Sequence, residues 1–145
     1  MKFTTKTEYG LVCLTYMAQK GPDQLIAIKD IVRDEGFSHT YLEKILQKLK
    51  AAGIVHSHQG KDGGYALARQ PSEITLKEII EALDGHTFEV YCEPKLREGI
   101  VCTHFKRCGI QPVWRKTKEL LDQFYSSITL ADISRREPQI QAHVA

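Results

Sequence analysis

Residues 28–67 read IKDIVRDEGFSHTYLEKILQKLKAAGIVHSHQGKDGGYAL, and this stretch decides the fold. Ile28, Ile31 and Val32 lie on one side of a short helix that reaches Glu35. Gly36-Phe37 breaks it. Ser38 is a good N-cap for a longer helix from His39 to Ala52. Its buried face is Tyr41, Leu42, Ile45, Leu46 and Leu49, and Gly53 closes it. A short helix, a tight break and a longer helix have helix-turn-helix proportions. Ile54–Ser57 and Gly64–Ala68 are then candidate strands. Between them, Gln59-Gly60-Lys61-Asp62-Gly63-Gly64 is rich in residues that permit positive φ. The pattern predicts a hairpin with a glycine-rich, lysine-bearing tip, which is a wing.

Outward from this unit, Tyr9, Val12, Cys13, Tyr16 and Met17 recur at helical spacing between Thr5 and Gln19, and Gly21-Pro22 stops that helix. Leu76, Ile79, Ile80 and Leu83 mark a further helix from Thr75 to Leu83, ended by Asp84-Gly85. Residues 86–111 lack periodicity. A last helix starts near Pro112, with Val113, Trp114, Thr117, Leu120, Leu121, Phe124 and Ile128 as its apolar set. With no later element to cover that stripe, a partner chain is the natural cover. The expected class is mainly α with a small β-hairpin wing: a winged helix-turn-helix over 1–83, a loop over 84–111, a dimerisation helix over 112–135 and a frayed tail over 136–145.

The chain has 145 residues, 42% of them hydrophobic, enough for one domain with a core. No apolar run approaches the roughly 18–20 residues of a membrane span. The start lacks the apolar centre of a signal peptide, so a cytoplasmic protein is expected. The net charge of +2 neither requires nor excludes nucleic acid, because a basic face matters more than the total. Lys44, Lys48, Lys50, Lys61 and Arg69 form such a local group, interrupted only by Asp62. No nucleophile–base pair or phosphate-binding motif argues for an enzyme. The glycine-rich loop joins two strands instead of opening a helix, so it lacks a helix-terminus anion site.

The N-terminal residues of a recognition helix meet base edges in the major groove. Here Ser38, His39, Thr40 and Tyr41 hold those places, with Glu43 one turn later as an acceptor for a cytosine amino group. Lys44 and Lys48 suit phosphates. Gln59 and Lys61 on the wing reach towards the minor groove.

Four cysteines are present. Cys13 falls inside an apolar helix pattern and reads as a buried small hydrophobe. Nine residues separate Cys92 from Cys102 and five separate Cys102 from Cys108, which is not the paired spacing of a zinc ribbon. Long gaps suit a multi-iron cluster approached from several sides, with zinc and redox-active free thiols as the other readings. Three thiolates leave one ligand position open. Glu8, Glu93, His104, His86 and an exogenous thiol are candidates for it.

The segments Ser38–Leu46, Leu49–Val55 and Gly60–Tyr65, with the three downstream cysteines, resemble the IscR/NsrR/RirA family of iron–sulfur winged-helix regulators. The similarity runs from Phe3 to Asp132. It implies a homodimer joined by crossed long helices, which binds palindromic operator DNA as a repressor or dual regulator. Cys92, Cys102 and Cys108 take the family's thiolate positions, and the implied cofactor is a 4Fe–4S cluster in preference to 2Fe–2S. The cysteine gap is longer than in the IscR branch. Gln111 stands where that branch has a histidine ligand, and Gln59 where the wing often has arginine. Glu8 falls at the carboxylate position of the NsrR branch, which the partner subunit donates as fourth ligand. The expected function is operator binding controlled by a cluster that senses nitric oxide, iron or redox state. A cluster-free thiol regulator and an iron–sulfur protein without DNA are the alternatives.

Overall fold

The computed structural model describes residues 3–90, 102, 104 and 107–135. Its elements are α1 (Thr5–Lys20), α2 (Ile28–Glu35), α3 (His39–Ala51), β1 (Val55–His58), β2 (Gly64–Leu67), α4 (Leu76–Asp84), α5 (Gln111–Ser127) and α6 (Leu130–Ile133). A single 3₁₀ turn, Pro71–Glu73, precedes α4. The mainly helical winged-helix class read from the sequence is the observed one.

Local chemistry sets most of the boundaries. The Thr4 side chain accepts from the Thr7 amide to start α1. Gly36 takes a left-handed conformation (φ 71°) and its amide returns to the Val32 carbonyl, so α2 ends and α3 can leave at a new angle. Ser38 is the N-cap of α3 by position, without a side-chain cap bond. A Thr75–Glu78 capping box opens α4.

The core is built on α3. Leu42, Ile45, Leu46 and Leu49 are at most 1% exposed and meet Cys13, Leu14 and Met17 of α1, Ile31 of α2, and Ile79 and Leu83 of α4. Each such side chain contributes about 1.5–3 kcal/mol of burial. Gly10 lets α1 approach closely, because a Cβ there would collide with the Leu83 side chain.

The hairpin pairs Val55 with Leu67, His56 with Ala66, Ser57 with Tyr65 and His58 with Gly64. Ile26 adds an isolated bridge to Tyr65 through bonds of 2.8 and 2.9 Å, so the wing is stitched to the chain entering α2. The expected positive φ occurs at Gly60 (127°), but not at Gly63 or Gly64. Those two glycines serve close approach instead. A Cβ on Gly64 would lie 2.5 Å from the Ile26 carbonyl oxygen, and one on Gly63 would strike the His58 carbonyl.

The C-terminal region differs from expectation. The last long helix stops at Ser127, and Ile128 is extended, because Thr129 and Asp132 form a capping box that starts α6. Thr129 bridges Thr75, with Leu76 N donating to Ile128 O and Leu130 N to Ile74 O, both at 2.8 Å. Leu130 is fully buried. A later element therefore does pack on the first domain. It leaves the outward row of α5 bare: Val113, Leu120 and Phe124 are 50%, 54% and 40% exposed, and Tyr125 turns inward at 6%. The expected tail at 136–145 lies outside the described residues.

Candidate nucleic-acid interface and cysteine centre

The N-terminal end of α3 carries Ser38, His39 and Thr40 in the open, with Tyr41 half-buried. Glu43 and Lys44 are exposed one turn on. Gln59 and Lys61 are exposed at the hairpin tip, beyond the β1 end. Helix end and hairpin tip thus present polar hydrogen-bonding groups and two exposed cations. This is chemistry suited to base edges and phosphates.

Lys48 sits differently from the other lysines. Its ammonium donates to the Leu83 carbonyl at 3.2 Å, on the last turn of α4, where a cation also favours the helix dipole. Lys50 donates to Ser57 at 2.6 Å and ties α3 to β1. The phenol of Tyr65 is pushed up by burial, with the Glu43 carboxylate adding to the effect. Glu43 therefore lies near the wing strand as well as on the α3 surface.

Three features of this region escaped the sequence reading. The Tyr9 ring stacks on Phe37 at 4.3 Å and 10°, and meets Tyr41 edge-on at 5.6 Å and 82°. Asp84 accepts from the hydroxyls of Thr4 (2.5 Å) and Thr7 (2.7 Å), with Lys6 at 3.8 Å. Burial raises the Asp84 carboxyl, but those hydroxyl donors, the Thr4 amide and Lys6 outweigh it and hold the group below its ordinary value. Finally, Thr87 donates to Asp122 of α5, which Lys118 also pairs at 3.0 Å. Apart from the Lys118–Asp122 pair within α5, helical periodicity gives no sign of these contacts, because they join residues far apart in sequence.

Among the thiols, Cys13 is fully buried and desolvation pushes it up to about 12, with Glu35 adding to the effect, so it is inert near neutrality. Cys102 is exposed, and Cys108 is partly exposed just ahead of α5. Cys92 and Glu93 lie outside the described residues. Glu8 is exposed on the first turn of α1, and His104 is exposed. His86 contacts Glu89 at 3.0 Å. Among the described residues, no three His, Cys, Asp or Glu side chains converge on a metal position. The donor chemistry nevertheless suits a soft-metal cluster: two accessible thiols share one segment, the buried thiol is excluded, and Arg107 beside Cys108 offsets negative charge. No described helix is long and apolar enough to cross a membrane.

Residues 3–136 match the family model for Rrf2, described as an iron-dependent transcriptional regulator. The protein rrf2 of Nitratidesulfovibrio vulgaris is 33% identical, over 93% of this chain and 88% of its own length. The HTH-type transcriptional regulator IscR of Yersinia pseudotuberculosis is 32% identical, over 92% of this chain and 79% of its own. Among solved structures, IscR of T. potens superposes with a TM-score of 0.69 at 31% identity, covering 92% of this chain and 85% of that one. CymR, the global cysteine regulator of B. subtilis, gives 0.68 at 31% identity, covering 92% and 96%. Both structures match a helix-turn-helix and hairpin already derived from the residues. With a family match across nearly the whole length and relatives at this identity, the chain belongs to the Rrf2 family of transcriptional regulators.

Proposed function

We propose that this regulator acts as a homodimeric repressor whose affinity for operator DNA is set by an iron–sulfur cluster. Its reading surface is the N-terminal end of α3, with Ser38, His39, Thr40, Tyr41 and Glu43 facing bases and Lys44 facing phosphate. Gln59 and Lys61 of the wing add contacts at the minor groove, and Lys48 braces α3 against α4. The exposed α5 row of Val113, Trp114, Leu120 and Phe124, with Ile110 at its N-cap, is the dimer seam. Cys92, Cys102 and Cys108 would hold the cluster, 4Fe–4S in preference to 2Fe–2S. Glu8 of the partner protomer would be the fourth, most easily displaced ligand, because a hard carboxylate binds a soft cluster weakly. When bound, the cluster supplies a site at which small oxidants or nitric oxide react.

One observation carries this reading. The thiols of Cys102 and Cys108 are accessible in the segment that joins the winged helix to α5, while the remaining described thiol is buried and inert. A change there lies between the DNA-reading unit and the dimer seam.

A second reading uses the same thiols without iron. A solved relative at 26% identity and TM-score 0.69 is Staphylococcus aureus CymR in an oxidized form. In this chain Cys102 is exposed and Cys108 partly exposed, so both thiols are open to oxidation.

Anaerobic purification followed by absorption and Mössbauer spectroscopy separates the two. The cluster reading expects visible absorbance that Cys92→Ala, Cys102→Ala and Cys108→Ala each abolish and Cys13→Ala retains. Glu8→Ala should keep a cluster but alter its spectrum and its reaction rate with nitric oxide. If Glu8→Ala changes neither and His104→Ala changes both, His104 is the fourth ligand. A colourless protein whose DNA binding responds to thiol oxidation supports the second reading.

A further inference from the structure

The first two turns of α1 touch both of the regions that the proposed regulation has to connect. On one side, the hydroxyls of Thr4 and Thr7 hold Asp84, the last residue of α4, and Gly85 then leads the chain towards the cysteine segment. On the other side, the Tyr9 ring lies flat on Phe37 and against the edge of Tyr41. Phe37 stands in the turn between α2 and α3, and Tyr41 is in the first turn of the reading helix. Gly10, the next residue, is pressed against Leu83, with Ile45 of α3 close by. The start of α1 is therefore wedged between the end of α4 and the beginning of α3.

This packing leaves little room for independent movement. A displacement of the Asp84–Gly85 corner pulls on Thr4 and Thr7, and α1 as a rigid helix carries Tyr9 with it. Stacked and edge-on rings have well-defined preferred offsets, so Tyr9 cannot slide without Phe37 and Tyr41 following. Packed contacts of this kind switch between discrete arrangements and do not deform smoothly.

We propose that Tyr9 is a positioning residue: it transmits the state of the cysteine segment to the DNA-reading end of α3. The proposal rests on the cluster-controlled reading above. It acts through the ring and does not need the phenolic hydroxyl. The competing role is plain core packing, which would affect both states of the protein alike.

The test is the ratio of DNA affinities between anaerobically loaded and chelator-stripped protein. The probe is a duplex selected by the wild-type protein from a randomised pool. The wild-type ratio is expected in the range of roughly 5–150-fold usual for coupled sites, and Tyr9→Phe should keep it. Tyr9→Leu should bring the ratio to within about threefold of unity while leaving the visible spectrum of the loaded form unchanged. Phe37→Leu should do the same, and decides the matter if Tyr9→Leu does not fold. An unchanged ratio in a folded leucine variant, with both states weakened equally, overturns the proposal. A wild-type protein that binds DNA equally in both states overturns the regulatory reading, and the role of Tyr9 with it.

Discussion

Gly64→Ala tests whether the wing is held by close backbone approach or only by a flexible tip. Gly64 has no positive φ, so on conformational grounds alone alanine should stabilise by about 0.4–1 kcal/mol through the unfolded chain. The structure reverses that sign. The new Cβ would lie 2.5 Å from the Ile26 carbonyl oxygen and 2.7 Å from its carbon, and neither is the end of a flexible side chain. Relief requires the Ile26 segment to move off β2. That breaks two backbone hydrogen bonds, of 2.8 and 2.9 Å, each contributing about 0.5–1.5 kcal/mol. It also uncovers part of Ile26, now 5% exposed, whose full burial is worth about 1.5–3 kcal/mol. After the unfolded-state gain is subtracted, the expected loss is about 2–3 kcal/mol. Urea unfolding at one fixed protein concentration measures it, since an oligomer's stability depends on concentration. Gly53→Ala is the control. Its φ is +70° with nothing within 4 Å of a new Cβ, so only backbone strain of about 1–2 kcal/mol is expected. A Gly64→Ala protein as stable as wild type, or more so, would refute the close-approach account.

Other outcomes follow from the same geometry. Asp84→Asn should destabilise at neutral pH. Because the folded carboxyl is held below its ordinary value of 3.8, that contribution is full above 3.8 and fades as pH falls through the lower folded value. Wild type and variant should therefore converge in acid, and a gap that persists there would contradict it. Lys44→Ala and Lys61→Ala should each weaken binding to all DNA and reduce the salt slope by about 0.9. Lys48→Ala should instead lower thermal stability, since its ammonium bonds Leu83 O; an unchanged melting temperature would count against that assignment. Leu120→Asp should yield a monomer in sedimentation at micromolar concentration, and an unaltered dimer would move the seam elsewhere.

The winged helix was legible because each part is encoded locally. Apolar spacing marks α1 to α4, and Gly36 and Gly53 take the left-handed φ that their positions demanded. Gly63 and Gly64 stand in a run that suggests positive φ, yet neither has it, and close backbone approach is what requires them. Sequence shows that glycine is present, but not whether a backbone torsion or a neighbouring strand requires it. The break at Ile128 was hidden because its apolar side chain continues the helical stripe, although the Thr129–Asp132 box was there to be read. Of the residues proposed to meet DNA, sequence implies that Ser38, His39, Thr40, Glu43, Lys44, Gln59 and Lys61 are exposed, as they are, but it gives no sign of the bond from Lys48 to Leu83 O on another helix. The thiols were only half legible. Spacing separates Cys13 from the other three, but it cannot say how those three are arranged around a ligand.

The return of the chain at Thr129 bears on the geometry of the DNA site. Because Ile128 and Leu130 are zipped to Ile74 and Leu76, α5 is not hung on a flexible tether. It is braced at one end by this short ladder and along its length by the Asp122 contacts to Thr87 and to Lys77 of α4. In the dimer proposed above, α5 then works as a ruler: where two copies cross fixes how far apart, and at what rotation about the duplex, the two α3 helices arrive. Half-sites must lie one helical turn, about 34–36 Å, or a multiple of it apart for both to be read from one face. A protein with a loose joint here would tolerate variable operator spacing. This one should discriminate sharply against a half-site moved by a single base pair, because that step both lengthens the separation and rotates the second half-site out of reach.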